Sequence, residues 1–359
     1  MEKKITAISL FTGAGGMDIG FERAGVTVVV ANEIMKEAAE TYIANHPGAK
    51  MINDDINNVM HLLDAYKGVD LVFGGPPCQG FSVAGKMDPE DNRSKLIFTF
   101  LDVVERIQPR AFVMENVKAL GILEKWEPVR RKYLDRARKL GYLCVPFILN
   151  ATEYGVPQKR ERVFFVGVKN CGDPFYEYHM QDCIEQQKNK APYIRELLKD
   201  LGRAGTERNP NTCTARITFA TQPIMRKSPY AGMYFNGQGR PMDVDGYSNT
   251  LPASMGGNKT PFIDEEYLYG NAEGDWVVNY HKSLMDGTLT PVFEEAPKRL
   301  RRITLKEAAR IQTFPDDYKF CGNKGRIYTQ IGNAVPCKLA EAVAKAVIHY
   351  LNEYYLGTN

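Results

Sequence analysis

The chain has 359 residues, 44% of them hydrophobic and 25% charged, with a formal net charge of +3 at pH 7. That length is enough for a large core and exceeds one compact domain, so one large domain plus a smaller one is expected, while so small a charge singles out no partner. Seven scattered cysteines (78, 144, 171, 183, 213, 321 and 337), with no C-x-x-C pair and no histidines at ligand spacing, exclude a disulfide framework and a zinc site.

The opening MEKKITAISLF passes from charge into a short apolar strand, 5–10, and lacks the long apolar core of a signal peptide. No stretch approaches membrane-spanning length, so a cytoplasmic protein without a membrane partner is expected. The strand runs into Phe11-Thr12-Gly13-Ala14-Gly15-Gly16, with Gly20 beyond. A glycine-rich turn between strand and helix lets backbone approach a ligand, and the helix start offers free N–H groups. A second strand, 26–31, leads to Glu33, 20 residues after Gly13, where a nucleotide-binding α/β fold places a carboxylate on ribose hydroxyls. The spacing G-x-G-G departs from the dinucleotide pattern G-x-G-x-x-G and fits a cofactor without a pyrophosphate, such as S-adenosylmethionine. Asp55, shortly after Met51-Ile52, is either an acceptor for an adenine amino group or a helix cap.

The next apolar run, 69–74, ends in Gly-Gly-Pro-Pro-Cys-Gln-Gly-Phe-Ser. Pro76 and Pro77 fix φ and supply no N–H, so a stiff lead-in aims Cys78 at one place. One cysteine among seven is ordinarily a small buried hydrophobe. At the carboxyl end of a parallel strand, however, it lies where open α/β sheets bind ligands. The following loop, 79–96, reads as able to close over a ligand. Strand 110–114 ends in Glu115-Asn116, which places a carboxyl group at the same sheet edge, either as a solvated acid or as a proton donor of raised pKa.

Two further strands, 145–149 and 162–168, complete an alternating α/β pattern that calls for a mainly parallel sheet covered on both faces. From about 171 to 300, Gly, Pro, Asn, Thr and Asp become frequent and helical periodicity fades, so turns and short strands are expected in a second, irregular domain. Helix returns at RRITLKEAARIQTFP, where Thr304 and Glu307 form a capping box and Pro315 follows the stop. A final helix opens at Pro336 with Leu339, Val343, Val347 and Leu351 on one side. The basic groups 130–132 and 298–302 read as candidates to face phosphates, although surface helix charge explains the first equally well.

LFTGAGGMDIGFE, GGPPCQGFS, ENV, YGVPQKRERVFFVG, RRITLKEAARIQTFP and QIGNAVP follow one another in the order found in cytosine-5 DNA methyltransferases, and over 5–170 and 299–350 the chain resembles that family of bacterial restriction-modification type. The resemblance implies a Rossmann-like, mainly parallel α/β sheet that binds S-adenosylmethionine, 1–170 plus 325–359, and a smaller strand-rich target-recognition domain with its hinge, 171–324. It implies methyl transfer to carbon 5 of a flipped-out cytosine in a short sequence of duplex DNA, through a covalent Cys78 adduct at carbon 6. Glu115 would grip the ring nitrogen and exocyclic amino group and Arg162 the cytosine O2, with Arg160 as phosphate contact or structural support. Cofactor contacts implied by motif are Phe11, Gly13, Gly15, Gly16, Glu33, Ile34, Asp55, Ile56, Pro77, Leu96, Asn333 and Ala334. Ser82 and Arg93 are candidate phosphate contacts, and no metal is called for. Ser9 departs from the acidic residue that many relatives carry before the Leu-Phe pair.

The family further implies double-stranded DNA as partner, a monomer, and a cognate restriction endonuclease sharing the site without a stable complex. Competing readings are an RNA cytosine-5 methyltransferase of the same catalytic architecture, a catalytically idle DNA-binding relative, and a nicotinamide oxidoreductase. PCQGFS with a long middle segment favours DNA over RNA. Cys78, Glu115 and Arg162 together argue against an idle relative, and the glycine spacing argues against the oxidoreductase.

Overall fold

The computed structural model describes residues 4–77 and 95–355. They fall into two compact units. One comprises the chain up to Gly155, Arg160–Lys190 and the chain from Val335; the other comprises Val156–Lys159 and Ala191–Ala334.

The first unit is built on seven strands: β1 (Thr6–Leu10), β2 (Thr27–Asn32), β3 (Lys50–Ile52), β4 (Leu71–Gly74), β5 (Ala111–Val117), β6 (Tyr142–Asn150) and β7 (Glu161–Lys169). Their order across the sheet is β3-β2-β1-β4-β5-β7-β6. The first five run parallel and β7 is antiparallel to both its neighbours, so the expected mainly parallel α/β sheet is present. Its central strands are near-continuous apolar runs because helices cover both faces: Leu71, Val72 and Phe73 in β4 and Ala111 to Met114 in β5 are buried.

Strand order reverses between β1 and β4, and in such sheets the crevice at the carboxyl ends of these strands is where ligands bind. The two strands approach closely there: a Cβ on Gly74 would lie 2.1 Å from the Leu10 carbonyl oxygen. Only glycine fits that position.

Helix α1 (Gly16–Arg23) follows the first loop, and α2 (Lys36–Asn45) follows the second strand. Between them lies a buried polar group. The Tyr42 hydroxyl donates to Asp18 Oδ1 at 3.0 Å, His46 stacks on Tyr42 with ring centroids 4.3 Å apart, and His46 Nδ1 meets Glu22 Oε2 at 2.9 Å. Burial pushes the Asp18 carboxyl up to about 6. Helices α3 (Ile56–Val59), α4 (Leu96–Ile107) and α5 (Glu127–Lys139) come next. The last, α6 (Cys337–Glu353), buries the expected face of Leu339, Val343, Val347 and Leu351. It crosses α1 at Gly20, where a Cβ would lie 2.4 Å from the Glu341 nitrogen and 2.5 Å from the Cys337 carbonyl oxygen.

The second unit holds short antiparallel strand pairs, β8 (Phe219–Ile224) with β9 (Met233–Phe235) and β10 (Phe262–Asp264) with β11 (Leu300–Arg302). They surround a small aromatic core of Phe219, Tyr234, Phe235, Phe262 and Tyr280. Its helix Leu305–Ile311 carries the expected capping box: the Thr304 hydroxyl accepts from the Glu307 N–H at 3.1 Å, and Glu307 Oε2 accepts from the Thr304 N–H at 2.8 Å. Gln158 and Gln312 form a buried hub, their side chains 2.9 Å apart, with Leu251 N–H donating to Gln158 and Gln312 donating to the Ile331 carbonyl.

Turns and short strands do not account for all of 171–300. Two ten-residue helices lie there, Tyr176–Glu185 in the first unit and Trp276–Met285 in the second. The first buries Tyr176, Met180, Cys183 and Ile184, a helical spacing diluted by the polar residues between. Among the described residues no helix is long and apolar enough to cross a membrane.

Candidate active site

At the end of β1 the backbone turns sharply. Phe11, Gly13 and Gly15 all have positive φ (54°, 54° and 81°), and Gly15 caps α1 in a left-handed conformation with Gly16 as its first residue. Glycine makes two of these three positions free of strain, so the chain can turn directly from β1 into α1. Glu33, just past β2, locks the loop from below: its Oε2 accepts the Gly13 N–H at 2.8 Å and its Oε1 accepts the Met35 N–H at 2.7 Å. Burial raises the Glu33 pKa, and these amides oppose the rise.

Ile34 beside it is 63% exposed, an apolar side chain offered to solvent at a strand end. Asn53, which the motif reading passed over, donates to the Glu33 carbonyl at 2.7 Å and so ties the ends of β2 and β3 together. Asp55 is the N-cap of α3, its Oδ1 accepting from the Asn57 N–H at 2.9 Å, so the helix-cap alternative is realised. The Ile56 side chain is in the core, leaving only its backbone to meet a ligand. A carboxylate for hydroxyl groups, a sharp glycine turn at the start of a helix and an exposed aliphatic surface together suit an adenosine-bearing ligand such as S-adenosylmethionine.

The second cluster sits two strands away. Glu115 is near the end of β5, 9% exposed, and Arg162 at the start of antiparallel β7 meets it, Nε to Oε1, at 2.9 Å. Burial raises the Glu115 pKa, and the guanidinium groups of Arg162 and then Arg160 pull it back. Arg160 itself is 2% exposed, so its charge acts within the protein. Gly75 brings the chain alongside: a Cβ there would stand 3.0 Å from Glu115 Oε2.

Asn116, quoted in the motif but given no role, donates its side-chain N–H to the Pro76 carbonyl at 3.2 Å. It thereby fixes the proline lead-in to the next residue beside Glu115. That next residue, Cys78, lies outside the described residues, as do Ser82 and Arg93. Pro77 is half-buried at the end of the lead-in, and Leu96, also half-buried, opens α4. Asn333 and Ala334 belong to the second unit, where they close the helix Lys324–Asn333 and the Ala334 carbonyl accepts from Gln312 at 3.2 Å.

The basic groups 130–132 and 298–302 meet partners within the protein, the first as the surface helix charge that also explained it. Arg130 donates to the Leu120 carbonyl, Arg131 pairs with Glu127 on its own helix, and Lys132 lies over the Phe98 ring. Arg299 pairs with Asp264, and Arg301 with Glu265 and Glu307. Internal acids satisfy these arginines, so a run of like charge in sequence is not a charged face in space.

The C-5 cytosine-specific DNA methylase family model matches residues 5–349. The type II methyltransferase M.FnuDI of Fusobacterium nucleatum is 33% identical over 96% of this chain and 95% of its own length. M.PspPI of Psychrobacter is 33% identical over 98% and 80%. Among solved structures, a putative DNA modification methyltransferase encoded within an Escherichia coli prophage superposes with a TM-score of 0.66 at 23% identity, covering 97% of this chain and all of that one. The Schizosaccharomyces pombe Dnmt2 methyltransferase does so at 0.68 and 19%, covering 98% and 100%.

Proposed function

Because this chain belongs to the C-5 cytosine-specific DNA methylase family, of restriction-modification type, we propose that it methylates carbon 5 of a flipped-out cytosine within a short duplex sequence through a transient Cys78 adduct, using S-adenosylmethionine. The observation that carries this reading is the buried Glu115–Arg162 pair beside Gly75, at the strand end that leads into Cys78.

Carbon 5 of cytosine is a poor nucleophile. The Cys78 thiolate bonds to carbon 6, and the electron pair displaced from the carbon 5–carbon 6 bond makes carbon 5 nucleophilic. Negative charge spreading to the ring is met by Glu115, which gives or shares a proton with nitrogen 3 and also addresses the exocyclic amino group. Arg162 orients Glu115 and donates to O2, and Arg160 supports both from inside. The cofactor, when bound, supplies a methyl group on a sulfonium centre. Glu33, Ile34, Asp55 and the loop of Phe11, Gly13, Gly15 and Gly16 would hold it, with Pro77, Leu96, Asn333, Ala334 and the Ile56 backbone completing the site. After methylation, a water or hydroxide takes the carbon 5 proton, its electron pair re-forms the ring double bond, the carbon 6–sulfur pair leaves with Cys78 as thiolate, and nitrogen 3 returns its proton to Glu115.

Flipping the base out of the stack costs roughly a few kcal/mol, and Ser82 and Arg93 are proposed as phosphate contacts that help offset it. The recognition role falls to the second unit, and a restriction endonuclease of matching specificity is the proposed functional companion.

Expression in a host without cytosine methylation, followed by bisulfite sequencing, should reveal 5-methylcytosine at one short recurrent motif. Cys78→Ser should abolish it, and duplex carrying 5-fluorocytosine should trap a covalent complex. Unchanged methylation by the serine variant would remove Cys78 from this scheme.

A further inference from the structure

Arg302 differs from the other arginines of its run. It is 2% exposed, and its guanidinium is met by carbonyl oxygens: Thr260 at 2.6 Å, Arg216 at 3.1 Å and Ala215 at 3.4 Å, with the Phe262 ring 5.5 Å away. A buried cation is costly unless its N–H groups are satisfied, and here the carbonyls that satisfy them are all main chain. What it satisfies in return is a set of loops.

Arg302 joins 215–216 to 260, and 236–241 is bound to both of these neighbouring segments, 215–218 and 256–260. The Asn236 N–H donates to the Thr218 carbonyl at 2.8 Å, the Gly239 N–H to the Asn258 carbonyl at 3.0 Å, and the Gly256 N–H to the Thr260 hydroxyl at 2.9 Å. The approach is too close for side chains: a Cβ on Gly239 would stand 2.2 Å from the Thr260 carbonyl oxygen and 2.4 Å from Arg302 Nη1.

The exposed residues on these loops share a chemistry. Arg216, Gln238, Arg240, Asn258 and Lys259 are exposed, and no Asp or Glu occurs anywhere in the three segments. Among the described residues, none of Arg216, Arg240 and Lys259 has a carboxylate partner. Other cations are paired, as Arg106 is with Asp64, Arg136 with Asp102 and Lys118 with Glu161.

We propose that these three loops form one surface that reads duplex DNA: Gln238, Arg240 and Asn258 address base edges, Arg216 and Lys259 supply charge to the phosphates, and Arg302 is the positioning residue that sets the loops. The inference rests on the methyltransferase reading above and deepens it by naming the side chains that choose the target sequence. Arg, Gln and Asn present the paired donors and acceptors that distinguish base pairs in the major groove, whereas a lysine ammonium is a point charge without sequence information. One guanidinium holds 215–216 and 260, and these two segments hold 236–241 in turn, so the three loops move together and keep their side chains in register with successive base pairs.

The test is bisulfite sequencing of a randomised duplex library treated with the purified enzyme, together with the salt dependence of DNA binding and cofactor titration. Arg240→Ala, Gln238→Ala and Asn258→Ala should each relax the motif at a position, losing about 5- to 150-fold in discrimination. Lys259→Ala should keep the motif but flatten the dependence of log affinity on log salt by about one unit. Arg302→Lys, whose ammonium cannot span three carbonyls, should blur more than one position while cofactor affinity stays at the wild-type value. A merely structural arginine would lower the folded fraction and leave the motif intact. Wild-type motif and salt slope in all four alanine variants would overturn the proposal even if Arg302→Lys fails to fold. A wild-type enzyme that modifies no duplex, or only RNA, would instead overturn the underlying methyltransferase reading, and this inference with it.

Discussion

At the end of β2, Glu33 is gripped by backbone amides; near the end of β5, Glu115 is gripped by a guanidinium. Both carboxyl groups are buried at the same edge of one sheet, and burial raises both pKa values. Amides are fixed dipoles that hold a carboxylate in place without following a change in its charge. A guanidinium is a full charge whose attraction to the carboxyl changes when a proton moves. The first arrangement suits a group that binds, and the second a group that reacts.

Substitutions can separate the two. Glu115→Gln keeps the shape but removes the proton, and kcat should fall about 100- to 10,000-fold with cofactor affinity unchanged, measured by single-turnover methylation and calorimetric titration. A loss under tenfold would deny Glu115 its proton role. Glu33→Gln points an amide N–H at a loop N–H, so cofactor affinity should weaken about 10- to 100-fold, or about 1.4–2.7 kcal/mol, while kcat at saturating cofactor changes little. A fall in kcat alone would erase the distinction between the two ends. Asn116→Ala frees the Pro76 carbonyl and should lower kcat about fivefold, near 1 kcal/mol, without affecting cofactor titration.

Asp18 adds a third type, a buried carboxyl held by a hydroxyl and raised from 3.8 to about 6. A raised folded pKa means that the native state binds more protons than the unfolded chain. Stability from this group is therefore complete below about pH 4 and is lost as pH rises to about 6, roughly 3 kcal/mol in total. Asp18→Asn should flatten that part of a denaturation-versus-pH profile, with the smallest effect on activity of the four. A slope unchanged by the substitution would place the titrating group elsewhere.

The alternation of apolar runs and helices made the sheet readable, because strands buried on two faces leave continuous hydrophobic segments whatever surrounds them. Gly13, Glu33 and Glu115 were readable for a related reason: each lies at or just past a strand end, so locating the strand locates the residue. Asn53 and Asn116 were not, since their work is to bond a carbonyl on a neighbouring strand end, and a main-chain acceptor leaves no trace in the sequence around its donor. The 298–302 run misled because its acids, Asp264, Glu265 and Glu307, are close only after folding. Helix Tyr176–Glu185 was hidden by polar residues between its buried positions.

The crossing of α1 and α6 at Gly20 gives the molecule a schedule. Of all the described elements, the helix that braces the glycine loop leaves the ribosome last. Until translation has passed residue 340 the Gly20 face of α1 lacks the helix it packs on, so a product truncated before α6 should lose the brace under its first loop.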